Sequence, residues 1–383
     1  MSFSVRWAWS LLCALTMLPA GAYAAGGEAA VLPQRQAVPV RVKNRTQAGF
    51  EKQKAETFRD VHVHVNTAGS GAPEDLVAAL EQNDVTIAVA MPTPVPLVSY
   101  EPDATLSLQL VYFFDGRSGR LRFLYGGGEL QPLLHAVGRP TSFTSDDVFP
   151  GCAYDVATED DINEMNAIRA SPKKWRLVFE ERARQAAKSG LYAGFGELAP
   201  LHYSLECGHP YIVYPADHEW MLWLSDLAAS YNMVLDVHLE AEPDSLTALA
   251  NLLQHNRKTK IVWDHVGWSN SGGVTAELIG RMLDRHRNLY VSLKLRDKDD
   301  RGRDATYPMD GAGRLLREWE DLLKHHADRI MIGTDAKYWE EEDNEPAAML
   351  PPLLDPVKTL LKQLPDDIRE KIRSGTAQGL FSR

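Results

Sequence analysis

His62 and His64 stand two apart in Phe58-Arg59-Asp60-Val61-His62-Val63-His64-Val65, a β-branched run whose alternate side chains would face the same way on a strand. The two imidazoles would then share one face while Val61, Val63 and Val65 pack on the other, and imidazoles so placed can grip one metal ion. The plain alternative is a polar edge strand whose histidines face water. Further along, four apolar runs end on Gly196-Glu197-Leu198, Asp236-Val237-His238-Leu239, Trp263-Asp264-His265-Val266-Gly267 and Ile332-Gly333-Thr334-Asp335. Burying a carboxylate or imidazole at such an end without a partner is costly, and a shared metal ion would satisfy them together. Each also has a structural alternative: a salt-bridged Glu197, a hydrogen-bonded core His238, a capping His265, an N-capping Asp335. The chain has 12 histidines, and four of them fall at these places in the order His-x-His, acid, His, His, Asp.

The elements that would carry these residues alternate. Short apolar runs and longer amphipathic segments follow one another as in β/α units around a parallel sheet. Strands are predicted at Arg59–Val65, Thr86–Met91, Arg120–Tyr125, Tyr192–Leu198, Met233–Leu239, Lys260–His265, Leu289–Leu295 and Arg329–Thr334. Helices are predicted at Pro73–Gln82, Glu159–Ser189, Asp217–Ser230, Pro243–His255, Val274–Arg287 and Gly313–His326. Eight such strands over about 300 residues favour a (β/α)8 TIM barrel over an open doubly wound sheet. An open sheet would carry a Gly-rich phosphate turn after its first strand; Gly126-Gly127-Gly128 follows the third, lacks the Lys-Ser/Thr sequel and reads as a loop. Active sites of this fold lie in the βα loops. Two of these are long: Met91–Arg120, with a hairpin candidate at Leu106–Phe114, and Ala199–Ala216, which carries His202, Tyr203, Glu206, Cys207, His209 and Tyr211. Loops of that kind cover a site or shape a pocket, and His202 is read as substrate-binding.

A chain of 383 residues with 44% hydrophobic content can bury a large core. Its formal charge is −11 and no block of Lys/Arg occurs, which argues against a nucleic-acid partner. Arg6, the apolar run Trp7–Leu18 and Ala22-Tyr23-Ala24 before Ala25 read as an export signal, too short to span a bilayer comfortably. Residues 1–24 are therefore expected to be removed, residues 25–45 to form a flexible tether and residues 46–383 to form one domain without a stable membrane span. The protein is expected in a periplasm or secreted, and Asn44-Arg45-Thr46 is a formal glycosylation sequon. Cys152 and Cys207 remain after cleavage; their pairing is open, as is homo-oligomerisation.

In their order these residues resemble the amidohydrolase superfamily of metal-dependent TIM-barrel enzymes, in particular the branch that includes small-acid decarboxylases and lactone or amide hydrolases. The resemblance runs from about Asp60 to Phe381. Asp60-Val61-His62-Val63-His64 is similar to its first-strand D-x-H-x-H signature, and His238, His265 and Asp335 to its fifth-, sixth- and eighth-strand residues. Thr376-Ala377-Gln378-Gly379-Leu380-Phe381 is similar to its N-A-x-x-L-F ending. Where many members carry a carbamylated lysine on the fourth strand, this chain has Glu197. A bridging glutamate there resembles TatD-type deoxyribonucleases, whose G-E-x-G-L-D pattern agrees with Gly196-Glu197-Leu198-Ala199-Pro200 in its first two residues only.

The resemblance implies one or two divalent ions. Mixed imidazole and carboxylate donors suit Zn²⁺, with Mn²⁺ or Fe²⁺ as alternatives. His62, His64, His238 and Asp335 are the implied ligands, with Glu197 bridging to a second ion, binding one, or orienting a ligand. Asp335 also serves as the base for attacking water, and His265 completes a second site or polarises the substrate carbonyl. Lys294, on one face of the seventh strand with Ser292, could hold a substrate carboxylate or pair with one of the site's acids. Asp264 could orient a ligand histidine, and Trp263 and Trp268 read as packing. The implied function is a metal-dependent hydrolase of a C–N, ester or lactone bond in a small molecule, with non-oxidative decarboxylation of a small acid as the alternative. A non-catalytic binding protein is the weaker reading, and a TatD-like nuclease is disfavoured by acidic charge and export.

Overall fold

Val-, Ile- and Leu-rich runs buried on both faces are what a parallel sheet covered by helices demands. Here they form β1 (Phe58–Val65), β2 (Val85–Met91), β3 (Leu121–Gly126), β4 (Gly194–His202), β5 (Ile212–Val213), β6 (Val234–Leu239), β7 (Lys260–Val266), β8 (Leu289–Leu293), β9 (Ile330–Ile332) and β10 (Ala336–Tyr338). All but β5 and β10 pair in parallel in chain order, and the ring closes where Asp60 of β1 meets Ile332 of β9. This is a closed eight-stranded parallel barrel with helices around it, the (β/α)8 architecture expected from the sequence. The structure, a computed structural model, describes residues 57–65, 73–98, 120–150, 157–203, 210–267, 273–295, 306–338 and 346–381, all within the compact unit Phe50–Arg383. The export signal, the tether, the sequon, the Leu106–Phe114 hairpin, Cys152, Glu206, Cys207, His209 and Trp268 lie outside the described residues.

The helices are α1 (Pro73–Gln82), α2 (Gln131–Gly138), α3 (Ser145–Val148), α4 (Glu159–Ala170), α5 (Pro172–Ser189), α6 (Glu219–Tyr231), α7 (Pro243–His255), α8 (Ala276–Arg285), α9 (Arg317–His325), α10 (Pro346–Leu361), α11 (Asp366–Glu370) and α12 (Thr376–Leu380). The single helix expected over Glu159–Ser189 is two. Ser171 takes φ −130° and ends α4, because the proline that follows disfavours helical backbone before it and is well suited to open α5. Among the described residues no helix is long and apolar enough to cross a membrane.

Two apolar clusters hold the barrel. The larger lies between the strands and the helices and includes Val63, Leu235, Val237, Ile261 and Trp263, whose indole N–H donates to the Leu239 carbonyl. Trp263 is thus a packing residue. The smaller gathers Val61, Val89, Leu124, Val234, Val262 and Met331 with Ala377 and Phe381 of the closing segment. Val234, Asp236 and His238 share one face of β6, and Val262 shares a face of β7 with Asp264, so this second cluster fills the barrel interior below the polar strand ends. The Ala-x-x-x-Phe spacing of the C-terminus has its physical reason there: both residues stopper the barrel floor. Val61 departs from strict alternation. The register of β1 against β2 shifts between Asp60 and Val63, which turns Val61 inward beneath the histidines while Val63 stays outside.

Candidate metal centre

The upper interior is crowded, and two glycines make the room. A Cβ on Gly196 would lie 2.6 Å from the Asp236 Cβ, and one on Gly333 would lie 3.0 Å from the His62 Cβ and 2.9 Å from the Ser292 Cβ. Asp60 joins the ends of β1 and β9: its Oδ2 accepts the Thr334 hydroxyl at 2.6 Å and its Oδ1 the Thr334 N–H at 2.9 Å. The Asp335 N–H donates to the His62 carbonyl at 2.9 Å. His265 and Asp335 hold φ of 63° and 54°, left-handed values that cost residues with a Cβ about 1–3 kcal/mol and collect at functional sites.

Within this frame six side chains from β1, β4, β6, β7 and the turn after β9 converge. His62 Nε2 and His64 Nε2 are 3.2 Å apart, and both face Glu197 Oε2, at 3.4 and 3.2 Å. Asp335 Oδ1 approaches the same nitrogens at 3.7 and 3.1 Å. The other glutamate oxygen, Oε1, faces His238 Nδ1 at 3.1 Å and His265 Nε2 at 3.4 Å. Among the described residues potential ligand atoms form four overlapping groups: His62, His64 and Glu197; Glu197, His238 and His265; His62, His265 and Asp335; and His62, Asp236 and Asp264. His62, His64, Glu197, His238 and His265 are all buried.

The donor chemistry fits a metal. The Met91 carbonyl, 3.2 Å from His64 Nδ1, can only accept, so that ring carries its proton on Nδ1 and turns the Nε2 lone pair inward. The Asp264 carboxylate, its Oδ1 3.2 Å from His62 Nδ1, favours a proton on that nitrogen by charge. Two lone pairs and two carboxylate oxygens then point at one place, a repulsive arrangement unless positive charge sits among them. Burial alone would lower the His62 and His64 imidazoles, yet the surrounding carboxylates hold both above their ordinary value, and Glu197 and Glu240 lift His238 to about 9. Burial alone would raise Glu197, but His62, His238 and His265 keep it well below the carboxylate range. Asp335 is likewise held low against burial, chiefly by Lys294. Burial, then Lys294, draws His265 down to about 4, which leaves it a neutral donor.

Lys294 Nζ is 2.5 Å from Asp335 Oδ2, so of its two readings the pairing with a site acid is the one present. Ser292 Oγ donates to Asp264 Oδ1 at 2.8 Å. His202 is half-buried, its ring 5.0 Å from that of His238 and its Nδ1 2.7 Å from the Pro210 carbonyl, at the edge of the cluster. Sequence reasoning passed over Asp236, fully buried and 3.8 Å from His62 Nδ1, although its place two before His238 puts it on the same face. It also passed over Gln131 of α2, which clasps β4 just beyond Glu197: its Oε1 accepts the Ala199 N–H at 3.0 Å and the Tyr214 hydroxyl at 2.8 Å, and its Nε2 donates to the Ala199 carbonyl at 3.2 Å. No spacing in the sequence signals that contact.

Residues 212–383 match the family model described as amidohydrolase, a stretch that holds His238, His265, Lys294 and Asp335 and confirms the resemblance drawn from the sequence over that part. No curated protein matches. Among solved structures the chain is similar to a dihydroorotase from Campylobacter jejuni, at 15% identity with 85% of this chain and 83% of that one covered and a TM-score of 0.46. It is similar also to a dihydroxybenzoic acid decarboxylase from Polaromonas sp. JS666 with bound manganese and 2-nitroresorcinol (12% identity, 85% and 97% covered, TM-score 0.46). A third is a probable 2-pyrone-4,6-dicarboxylic acid hydrolase from Acinetobacter baumannii with citric acid bound (12% identity, 86% and 100% covered, TM-score 0.45).

Proposed function

We propose that this amidohydrolase-type barrel is a metal-dependent hydrolase that cleaves a C–N, ester or lactone bond of a small molecule. The observation that carries the reading is the division of Glu197 between two pairs of imidazoles, Oε2 towards His62 and His64 and Oε1 towards His238 and His265. His62, His64 and Asp335 would hold one divalent ion, His238 and His265 a second, and Glu197 both. Zn²⁺ suits this donor set best, Mn²⁺ and Fe²⁺ being the alternatives. Such an ion supplies Lewis acidity that polarises a carbonyl and acidifies water at neutral pH.

The chain's own groups do the rest. Asp335, kept ionised by Lys294, stands ready to take the proton of an attacking water and to return it to the leaving group. Asp264 fixes the His62 ring so that Nε2 faces inward. Burial of the imidazoles and Glu197 strengthens each of these contacts, while Asp335 is half-buried at the edge of the cluster.

Metal analysis of protein purified without chelator tests this. About two ions per chain are expected in the wild type, fewer in Glu197→Gln, and none in the His62→Ala/His64→Ala double variant. A wild type that stays empty after loading with Zn²⁺, Mn²⁺ and Fe²⁺ overturns the reading. Decarboxylation would use the same donors, so the loaded enzyme is to be offered small lactones, cyclic amides, esters and aryl carboxylic acids. Release of CO₂ from an acid, with no hydrolysis of the others, transfers the assignment to a decarboxylase.

A further inference from the structure

At the other end of the barrel, α7 and α8 frame a groove of about 850 Å³ that reaches Lys260 at the start of β7 and Tyr290 on β8. Its floor is apolar, made by Leu246, Ala250 and Leu253 of α7 and Leu278 and Met282 of α8. Its rim is cationic: Arg257, Lys258, Lys260, Arg281, Arg285 and Arg287 line it, and no carboxylate does. Arg281 is answered by Glu277 one turn away. The other five make no ion pair among the described residues; single exposed cations such as Lys188 and Lys362 are unpaired as well, but here the unpaired cations gather around one groove that no Asp or Glu lines.

In a chain of net charge −11, five neighbouring cations around a groove that no acid lines repel one another. Their turn is nonetheless built firmly. The Asn288 side chain donates to the Leu253 and Thr259 carbonyls at 3.2 and 3.0 Å, and the Thr259 hydroxyl joins Ser225 at 2.8 Å. Burial, then Arg285 and Arg257, lowers the His286 imidazole, as a positive field requires.

We propose that this groove docks an acidic amphipathic segment of a partner protein, laid as a helix between α7 and α8. The floor takes the apolar face of such a helix and the rim takes its carboxylates. α7 has 13 residues, a length of about 20 Å at 1.5 Å per residue, so the segment is of three to four turns. A nucleic acid fits less well: it calls for aromatic platforms beside the cations, and Tyr290 is the one aromatic residue that lines the groove. Charges exposed in this way steer encounter and give a transient, salt-sensitive complex.

The test is fluorescence anisotropy with a labelled peptide of about 14 residues, Leu at i, i+3, i+4 and i+7 positions and Glu elsewhere. Controls are the same composition scrambled and an oligothymidylate of like length. Saturable binding is expected, weakened by salt and by at least about tenfold in Arg257→Glu/Arg285→Glu, with hydrogen-exchange protection confined to α7, α8 and the turns after them. Circular dichroism of the double variant should match the wild type, and its metal content should not change. Absence of binding at low salt, equal binding of the scrambled peptide, tighter binding of the oligothymidylate, or an unaffected double variant overturns the proposal.

Discussion

The two ends of this barrel treat charge in opposite ways. At the metal centre charged and polar groups crowd together in the interior, and many are held by a neighbour, Asp335 by Lys294, Asp264 by Ser292 and Asp60 by Thr334. The Asp236 carboxylate and His238 Nε2 are buried there without a hydrogen bond among the described residues. In the groove between α7 and α8, Arg257, Lys258, Arg285 and Arg287 are exposed, and no acid among the described residues pairs with them. The difference follows from the cost of charge. A buried ion without a partner is strongly destabilising, so interior polar groups left unsatisfied call for a ligand among them; an exposed one costs little, so a surface can leave cations unmatched. Evidence of function therefore takes a different form in each place. In the interior it is lone pairs forced together, His62 Nε2 against His64 Nε2 at 3.2 Å. On the surface it is a set of like charges gathered around one apolar groove that no Asp or Glu lines.

The interior end should break hardest. Asp335→Asn removes the proton acceptor yet keeps a group of the same shape for Lys294 to meet, so turnover in the loaded enzyme should fall by about 10²- to 10⁴-fold with little change in fold. Steady-state kinetics on whichever of the lactones, amides or esters is cleaved will show it, and a fully active variant would remove Asp335 from proton transfer. A smaller loss is expected one contact out. Asp264→Asn weakens the hold on the His62 ring, and metal affinity measured by competition with a chelator should drop by about 10- to 100-fold; unchanged affinity would make Asp264 a packing residue.

What could be read from the chain follows the same division. His238, His265 and Asp335 were legible because each closes or follows an apolar strand where a polar side chain is costly unless it works; Glu197 was found by the same reasoning, although β4 runs on to His202 instead of ending at Leu198. The barrel was legible for the same reason, since eight apolar runs recur between helical ones. The inward turn of Val61 was not: it depends on the register shift of β1 against β2. Lys294 could be placed near the site but not assigned, because its partner Asp335 is on another strand end. The groove was the least legible feature. Its cations come from two stretches, 257–260 and 281–287, neither of which is a basic block, and only the packing of α7 beside α8 gathers them.

Gln131 links the comparison to stability. It is fully buried, satisfies both backbone groups of Ala199 and accepts the Tyr214 hydroxyl, so Gln131→Leu strands two donors and an acceptor in the interior and should cost about 1–3 kcal/mol. Because β4 beyond Glu197 loses its clasp, metal content should fall as well, which a purely local defect would not cause. Denaturant unfolding of the metal-free protein separates the two effects.

The smallest effect belongs to the groove, and it is the sharpest check on the contrast. Arg285 is exposed, ends α8 and has no ion pair among the described residues, so Arg285→Gln removes repulsion from Arg257 and Arg287 together with a favourable placement at a helix C-terminus. These contributions oppose each other, and stability should change by no more than about 0.5 kcal/mol, with metal content and turnover as in the wild type. A loss several times larger in thermal unfolding would mean that Arg285 is matched within the fold after all. The groove would then be a structural seam, and the contrast between a crowded interior and an open, unmatched surface would fail at its weaker end.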